Sequence, residues 1–264
     1  MADLAGVTLV QGDCLSPDCL PAALHGVEAA FLGMSNSEEQ VAAEKNLIDA
    51  AAAVPSCTYL VKLSTCGAPG YIGRESAIQY GRYHAEIEEH LSASSLKWTL
   101  LRPNDFMQNH MGDIFGSLPN GVVAYPLPAS SEATIIDTRD VGDLAAALLL
   151  SPEREKHAGQ AYDVCGPDPM STERLATLYA AALGRPIAAV ETTADEWAAN
   201  AEKAGFPAWL ARAVAVNFTD FWAKGTLNYP SSPAVLEVRA PTRTMEQWIK
   251  EHAPLSPPPA TAAS

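Results

Sequence analysis

Several features that would announce a function are missing from these 264 residues. No apolar run reaches the roughly 18–20 residues that a membrane-spanning helix needs, so no membrane partner is expected. The opening "MADLAGVTLV" has neither a basic region before a hydrophobic core nor a cleavage site. No signal peptide is therefore expected, and the location expected is cytoplasmic. The five cysteines (Cys14, Cys19, Cys57, Cys66, Cys165) are scattered, odd in number and without CxxC spacing. This argues for reduced thiols and against a disulfide framework or a metal site. HExxH, GxSxG and Walker A patterns are absent, which leaves zinc protease, serine hydrolase and P-loop chemistry without support. Basic residues are scarce: 17 Lys and Arg against 31 Asp and Glu give a formal charge of −14. Such a surface repels polyanions, so no nucleic-acid partner is expected, although a small local anion site remains open.

What is present is the composition of a soluble globular enzyme, 48% hydrophobic and 18% charged, in one large domain or one domain with an appendage. Strand-like runs alternate with helical stretches. Val7–Val10 precedes a helix from about Ser16 to His25, and Ala29–Leu32 precedes an Ala-rich helix from about Ser37 to Ala53. Thr58–Leu63 leads through a Gly/Pro loop to a helix from about Ser76 to Ser92, then to Trp98–Leu101. This alternation predicts an α/β fold, a doubly wound parallel sheet covered on both faces. After Pro103 the pattern loosens, with strands at Val122–Tyr125, Thr134–Ile136 and Ala161–Val164 and helices at about Val141–Leu150 and Thr172–Leu183, the latter stopped by Gly184. Residues from about Ile187 to Pro230 read as mainly helical, and the Pro/Ala-rich tail, 254–264, as disordered. The expected division is 1–150, 151–253 and that tail. Ser16, Ser171 and Asp140 read as helix caps.

Five stretches could carry chemistry. Gly12-Asp13 ends the opening strand, Leu32-Gly33-Met34 ends the next, and Ser64 and Thr65 end a third in "VKLSTCG". In open α/β sheets ligands bind outside the carboxyl ends of the strands, so all three would face one crevice. In "YGRYHAEIEEHL", Tyr80, His84, Glu88 and Leu91 share one helix face. A tyrosine and a nitrogen base one turn apart could act as proton donor and its tuner; the other reading is a half-buried face with His84 satisfied by Glu88. In "LRPNDFMQNH", Arg102-Pro103 forces extended backbone, and Asn104, Phe106, Met107 and Asn109 offer amides and apolar surface to a planar ring, or ordinary loop packing. Finally, Leu210, Val214, Phe218 and Trp222 form an apolar stripe that reads as core, while Trp197, Phe206 and Trp209 could add a lid over the crevice.

Taken together, "AGVTLVQGD", "LHGVEAAFL", "NLIDAAAAV", "VKLST", "YGRYHAEIEEHLSASSLKWTLLRPNDFMQN", "IIDTRDVGDLAAALL", "AYDVCGPDPMSTERLATLYAAALGRPI" and "AGFPAWLA" resemble, in order, the NmrA-like branch of the atypical short-chain dehydrogenase/reductase family. The resemblance implies a Rossmann-like domain binding NADP or NAD, with a smaller, mainly helical C-terminal part forming the substrate pocket. By position, Asp13 would lie by the adenine, Leu32 and Gly33 by the ribose and pyrophosphate, and Ser64 and His84 by the nicotinamide ribose, with Gly12 also implied as cofactor-binding. Pro103, Asn104 and Phe106 would lie by the nicotinamide, and Met107, Asn109, Trp197 and Trp209 would line the substrate pocket. Ser64, Tyr80 and His84 are the implied catalytic set. His84 stands where better-known relatives carry the lysine of Tyr-x-x-x-Lys, and a histidine is mostly neutral at pH 7.

Relatives also begin with a strand, a GxxGxxG loop, a helix and a second strand, and no glycine-rich turn precedes Val7 here. The expectation is a sheet truncated at its N-terminus, with the inner edge of Ala29–Leu32 unpaired. The alternative is that Val7–Gln11 slides into the vacated slot, which an allowed right-handed crossover permits. The leading functional expectation is an NAD(P)H-dependent oxidoreductase, truncated or impaired, acting on a small carbonyl or quinone-like molecule. The alternatives are a non-catalytic NAD(P)-sensing or partner-binding regulator, which brings in a protein partner, and a cofactor-free isomerase or cyclase.

Overall fold

A computed structural model describes residues 5–258. Its centre is a sheet of four parallel strands, β1 (Ala29–Leu32), β2 (Tyr59–Leu63), β3 (Lys97–Pro103) and β7 (Gln160–Val164), in the order β1-β2-β3-β7. The register runs Ala29 opposite Tyr59, Tyr59 opposite Lys97 and Thr99 opposite Gln160. Parallel strands need crossovers, and the helices that make them cover both faces. On one face, α1 (Leu20–Leu24), α2 (Gln40–Ala53) and α3 (Gln79–Ser92) pack with Leu32, Leu60 and Leu100. On the other, α5 (Thr138–Leu150) and α9 (Pro233–Arg239) pack with Tyr59, Val61, Leu101 and Val164. Gly81 lets α3 approach the loop after β2, since a Cβ there would lie 2.2 Å from the Tyr71 carbonyl oxygen.

Beyond β3 the chain forms smaller pieces around a second core. β4 (Asp105–Phe106), β6 (Ala133–Ile136) and β8 (Pro169–Met170) make one small sheet. β5 (Val122–Tyr125) pairs in parallel with β9 (Ala188–Glu191). The short α4 (Met111–Phe115), with α6 (Thr172–Leu183), α7 (Ala194–Lys203), α8 (Ala208–Val216) and α10 (Met245–His252), completes this part. A π-helical stretch, Asn217–Trp222, extends α8 and buries Phe218, Phe221 and Trp222. Leu210 and Val214 pack against the same core, so the apolar stripe is indeed interior. Gly184 ends α6 in the left-handed conformation that a C-terminal glycine supplies.

Several expectations need correction. Val7–Val10 is not a strand and fills no central slot; Val7, Leu9 and Val10 are exposed, and no strand pairing involves them. The other expectation for this region agrees with the fold: among the described residues one edge of β1 is unpaired, and Phe31 on that strand is 43% exposed. The run from Ser16 to His25 is a 3-10 turn followed by the five-residue α1, and Ser16 makes no side-chain cap. Asp140 is not a cap: Asp137 caps α5, three residues earlier, and Asp140 instead accepts from the backbone of Thr242 and Arg243. Ser171 does cap α6. The stretch from Ile187 to Pro230 includes β9, and β7 carries the main sheet past residue 150. The tail begins with a 3-10 turn, Ala253–Leu255, and its last residues, 259–264, lie outside the described residues.

Candidate functional site

The carboxyl ends of β1, β2 and β3 lie side by side, so the parallel register brings Gly33, Ser64 and Asn104 to one end of the sheet. This is the crevice position of an open α/β sheet. The interior beneath it is polar. Lys62, in β2, and Glu44, in α2, are both wholly buried and stand 2.9 Å apart. Lys62 Nζ also donates to the Leu63 carbonyl at 2.8 Å and lies 3.0 Å from His84 Nδ1. Gln40, in the first turn of α2, donates to Glu44 Oε1 at 2.8 Å and lies 3.4 Å from His84 Nε2. Burial pulls the Lys62 ammonium below its ordinary range, against the pull of Glu44 and Glu88. Burial, with Lys62 alongside, holds His84 well below the usual histidine range.

A second chain of contacts runs beside this one. Ser64 Oγ donates to Glu88 Oε1 at 2.6 Å, and Arg102 grips the same carboxylate at 3.1 and 2.5 Å. Glu88 therefore serves Ser64 and Arg102, not His84. The Tyr80 phenol is 2.9 Å from the Tyr71 hydroxyl, and no hydrogen bond joins it to His84. Burial pushes the Tyr80 phenol above the ordinary tyrosine range, the opposite of what a proton donor tuned by a neighbouring base requires.

The remaining expected site residues divide between crevice and scaffold. Asn104 is structural: its amide donates to Thr134 Oγ1 at 3.0 Å and to the Leu227 carbonyl at 2.8 Å, and its oxygen accepts from the Asp105 backbone. Leu32 and Pro103 are buried, and Phe106 is half-buried against the α5 side of the sheet. Met107 lies in the second core, while Asn109 is exposed and donates to Asp105 Oδ1 at 2.7 Å. Trp197 meets Phe218 edge-on at 5.1 Å and Trp209 meets Tyr83 at 5.9 Å, so both rings are packed against neighbours; Phe206 is exposed. Gly12 and Asp13 are exposed, and Asp13 turns its carboxylate onto the Leu15 N–H at 2.8 Å.

Sequence reasoning missed Gln40, Glu44, Lys62, Arg102 and Asp105. Lys62 alone left a trace, a charge inside an otherwise apolar strand. Asp105 is half-buried beside Asn104, and burial pushes its carboxyl above the usual range.

A sequence profile of the NmrA-like family matches residues 2–200. The chain is 31% identical over 251 residues to an NAD(P)H azoreductase of Xenophilus azovorans, covering 94% of this chain and 83% of that protein. It is 31% identical over 252 residues to a (4-alkanoyl-5-oxo-2,5-dihydrofuran-3-yl)methyl phosphate reductase of Streptomyces griseus subsp. griseus, covering 94% and 84%. Among solved structures, an NADPH-dependent quinone oxidoreductase of Escherichia coli complexed with NADPH superposes with a TM-score of 0.79 at 22% identity, over 93% of this chain and 83% of that one. The profile spans most of the sequence and the fold agrees with it: the chain belongs to the NmrA-like family.

Proposed function

We propose that this protein is an NAD(P)H-dependent reductase of a small carbonyl or quinone-like substrate. The observation that carries the reading is the convergence of the β1, β2 and β3 ends on one crevice, in a chain whose 31%-identical relatives are named as reductases over nearly its whole length.

The residues present fit one side of a dinucleotide. Gly33 stands at the end of β1 with its Cβ position closed by the protein itself, 3.1 Å from the Phe31 ring and 3.5 Å from Leu63. Ser64, whose one hydroxyl proton goes to Glu88, can only accept from a ribose hydroxyl, and the half-buried Phe106, next to the buried Pro103, offers apolar surface to a planar ring. The pyrophosphate side does not fit the described residues. The segment before β1 holds no glycine-rich turn at a helix N-terminus, and around Asp13 the Leu15 and Ser16 N–H groups are already taken by Asp13 itself. His84 and Asn104 are withdrawn from the contacts that the family resemblance implies, because their polar atoms are engaged inside the protein. Burial raises the Asp105 carboxyl, while His110 and the donating Asn109 amide pull it back toward its charged form.

Calorimetric titration of the whole chain with NADPH and with NADH tests the reading, followed by turnover with a quinone and an azo dye. Binding of at least one dinucleotide, and substrate-dependent loss of the reduced nicotinamide absorbance, are expected. A cooperatively folded chain that ignores both dinucleotides would overturn it and favour the partner-binding alternative.

A further inference from the structure

We propose that Lys62 is a positioning residue: its ammonium fixes the His84 ring in the neutral form that carries its proton on Nε2. The inference starts from three groups around Nζ, the Leu63 carbonyl at 2.8 Å, the Glu44 carboxylate at 2.9 Å and His84 Nδ1 at 3.0 Å. The Glu44 contact is an ion pair off the ideal hydrogen-bond angle, and the other two are hydrogen-bonding contacts. An ammonium has three protons and no lone pair, so Nδ1 must present its own lone pair to Nζ. The single proton of the neutral ring then sits on Nε2, facing the Gln40 amide nitrogen at 3.4 Å, which keeps one N–H on Glu44 and must turn the other away from the ring.

The charged groups facing the ring support this assignment. Glu44, from α2, is within ion-pair distance of Lys62, and Glu88, from α3, adds a second negative charge near it. Burial opposes the charged amine, Glu44 favours it, and Glu88 adds less because Arg102 already holds it. A protonated His84 would set two positive charges 3.0 Å apart in a wholly buried site, which the surroundings do not offset. The ring is thus withdrawn from proton transfer, and the polar layer beneath Ser64 is held in one proton arrangement.

One competing arrangement uses the same heavy atoms. A neutral Lys62 could accept from an Nδ1–H, with Gln40 donating to Nε2 across 3.4 Å. The two differ in where the ring proton lies, which nitrogen NMR of the histidine ring reads directly. His84 would be assigned by comparison with His84→Gln, in the whole chain without dinucleotide. The expected result is an unprotonated Nδ1 and a protonated Nε2, unchanged from about pH 8 down to about pH 5.5, a pH unit below the ordinary histidine pKa. An Nδ1–H signature in the unaltered protein would overturn the proposal.

Lys62→Met leaves Glu44 without its counter-ion, so the ring should take up a proton at Nδ1 and begin to titrate. Because that variant could fail to fold, Lys62→Met/Glu44→Met, which removes both charges, is the companion. It should lose the single Nε2–H signature while keeping a cooperative melt. If either folded variant retains the signature unchanged, Lys62 does not set the tautomer. A second readout rests on the reductase reading: the pH profile of turnover should gain a limb in the histidine range in Lys62→Met only. The NMR result stands apart from it, so a chain that never binds NADPH still tests the inference.

Discussion

At the scale of single residues, the histidine on α3 shows how burial overrules a reading from helix periodicity. Spacing of four residues put Tyr80, His84 and Glu88 on one face, but each finds a different partner there: Tyr71 for Tyr80, Lys62 of β2 and Gln40 of α2 for His84, and Ser64 and Arg102 for Glu88. His84 carries a consequence for stability. Its pKa in the folded protein lies well below the ordinary value, so below about pH 6.5 the unfolded chain binds a proton that the folded one refuses. Stability linked to His84 is therefore present above about pH 6.5 and is lost as the pH falls. His110 works the other way: burial opposes its charge, but Asp113, 2.8 Å from Nδ1, more than offsets it and raises the pKa. Its contribution is present at low pH and lost as the pH rises through the raised value. Comparing His84→Gln with the unaltered protein isolates the first effect. In urea denaturation the difference should shift toward the variant by about 1.4 kcal/mol per pH unit below pH ~6.5, until the folded-state pKa is reached. A difference that stays flat with pH would show that His84 binds protons equally in both states.

At the scale of elements, helix starts offer the clearest separation between what the sequence displays and what packing decides. Ser171 accepts from the Arg174 N–H, and Asp137 accepts from the Arg139 N–H while also holding the Arg139 guanidinium and the Gln108 amide. Ser171→Ala should cost about 1 kcal/mol and Asp137→Ala about 2 kcal/mol, read as a fall in the urea midpoint at unchanged slope. Equal losses would mean that the extra partners of Asp137 add nothing. Asp140→Ala should act instead by loosening the segment at Arg243, since its contacts lie there rather than at the helix start. Ser171 and Asp137 are each followed by three polar residues before the first apolar position, Leu175 and Val141. What hid Asp137 is Asp140, a second good capping residue that stands directly before Val141. Strands were legible on the same terms: β1, β5 and β6 are short β-branched or apolar runs bounded by turn residues, and they lie where expected. Val7–Val10 has the same local character and is no strand, because a strand also requires a neighbour to pair with, which composition cannot reveal. The parallel pairing of β5 with β9 joins segments more than sixty residues apart and was illegible for the same reason. The buried Lys62, Glu44 and Gln40 come from two elements, so no spacing along the chain announces them.

At the scale of the whole molecule, charge sets a condition that any anionic cofactor must meet. The formal charge of −14 gives the surface a field that opposes a dinucleotide carrying several negative charges. The cations that approach the strand ends are already partnered, Lys62 with Glu44 and Arg102 with Glu88, so neither offers an uncompensated charge to a phosphate. A protein that holds phosphates with free cations binds them more weakly as salt screens the attraction. Here the long-range term has the opposite sign. Raising the ionic strength toward physiological values shortens the Debye length to about 8 Å and should remove repulsion, leaving NADPH affinity unchanged or strengthened. Calorimetric titrations at low and at near-physiological salt decide the matter. A marked weakening with salt would overturn this expectation and show that a cation elsewhere on the chain reaches the phosphates.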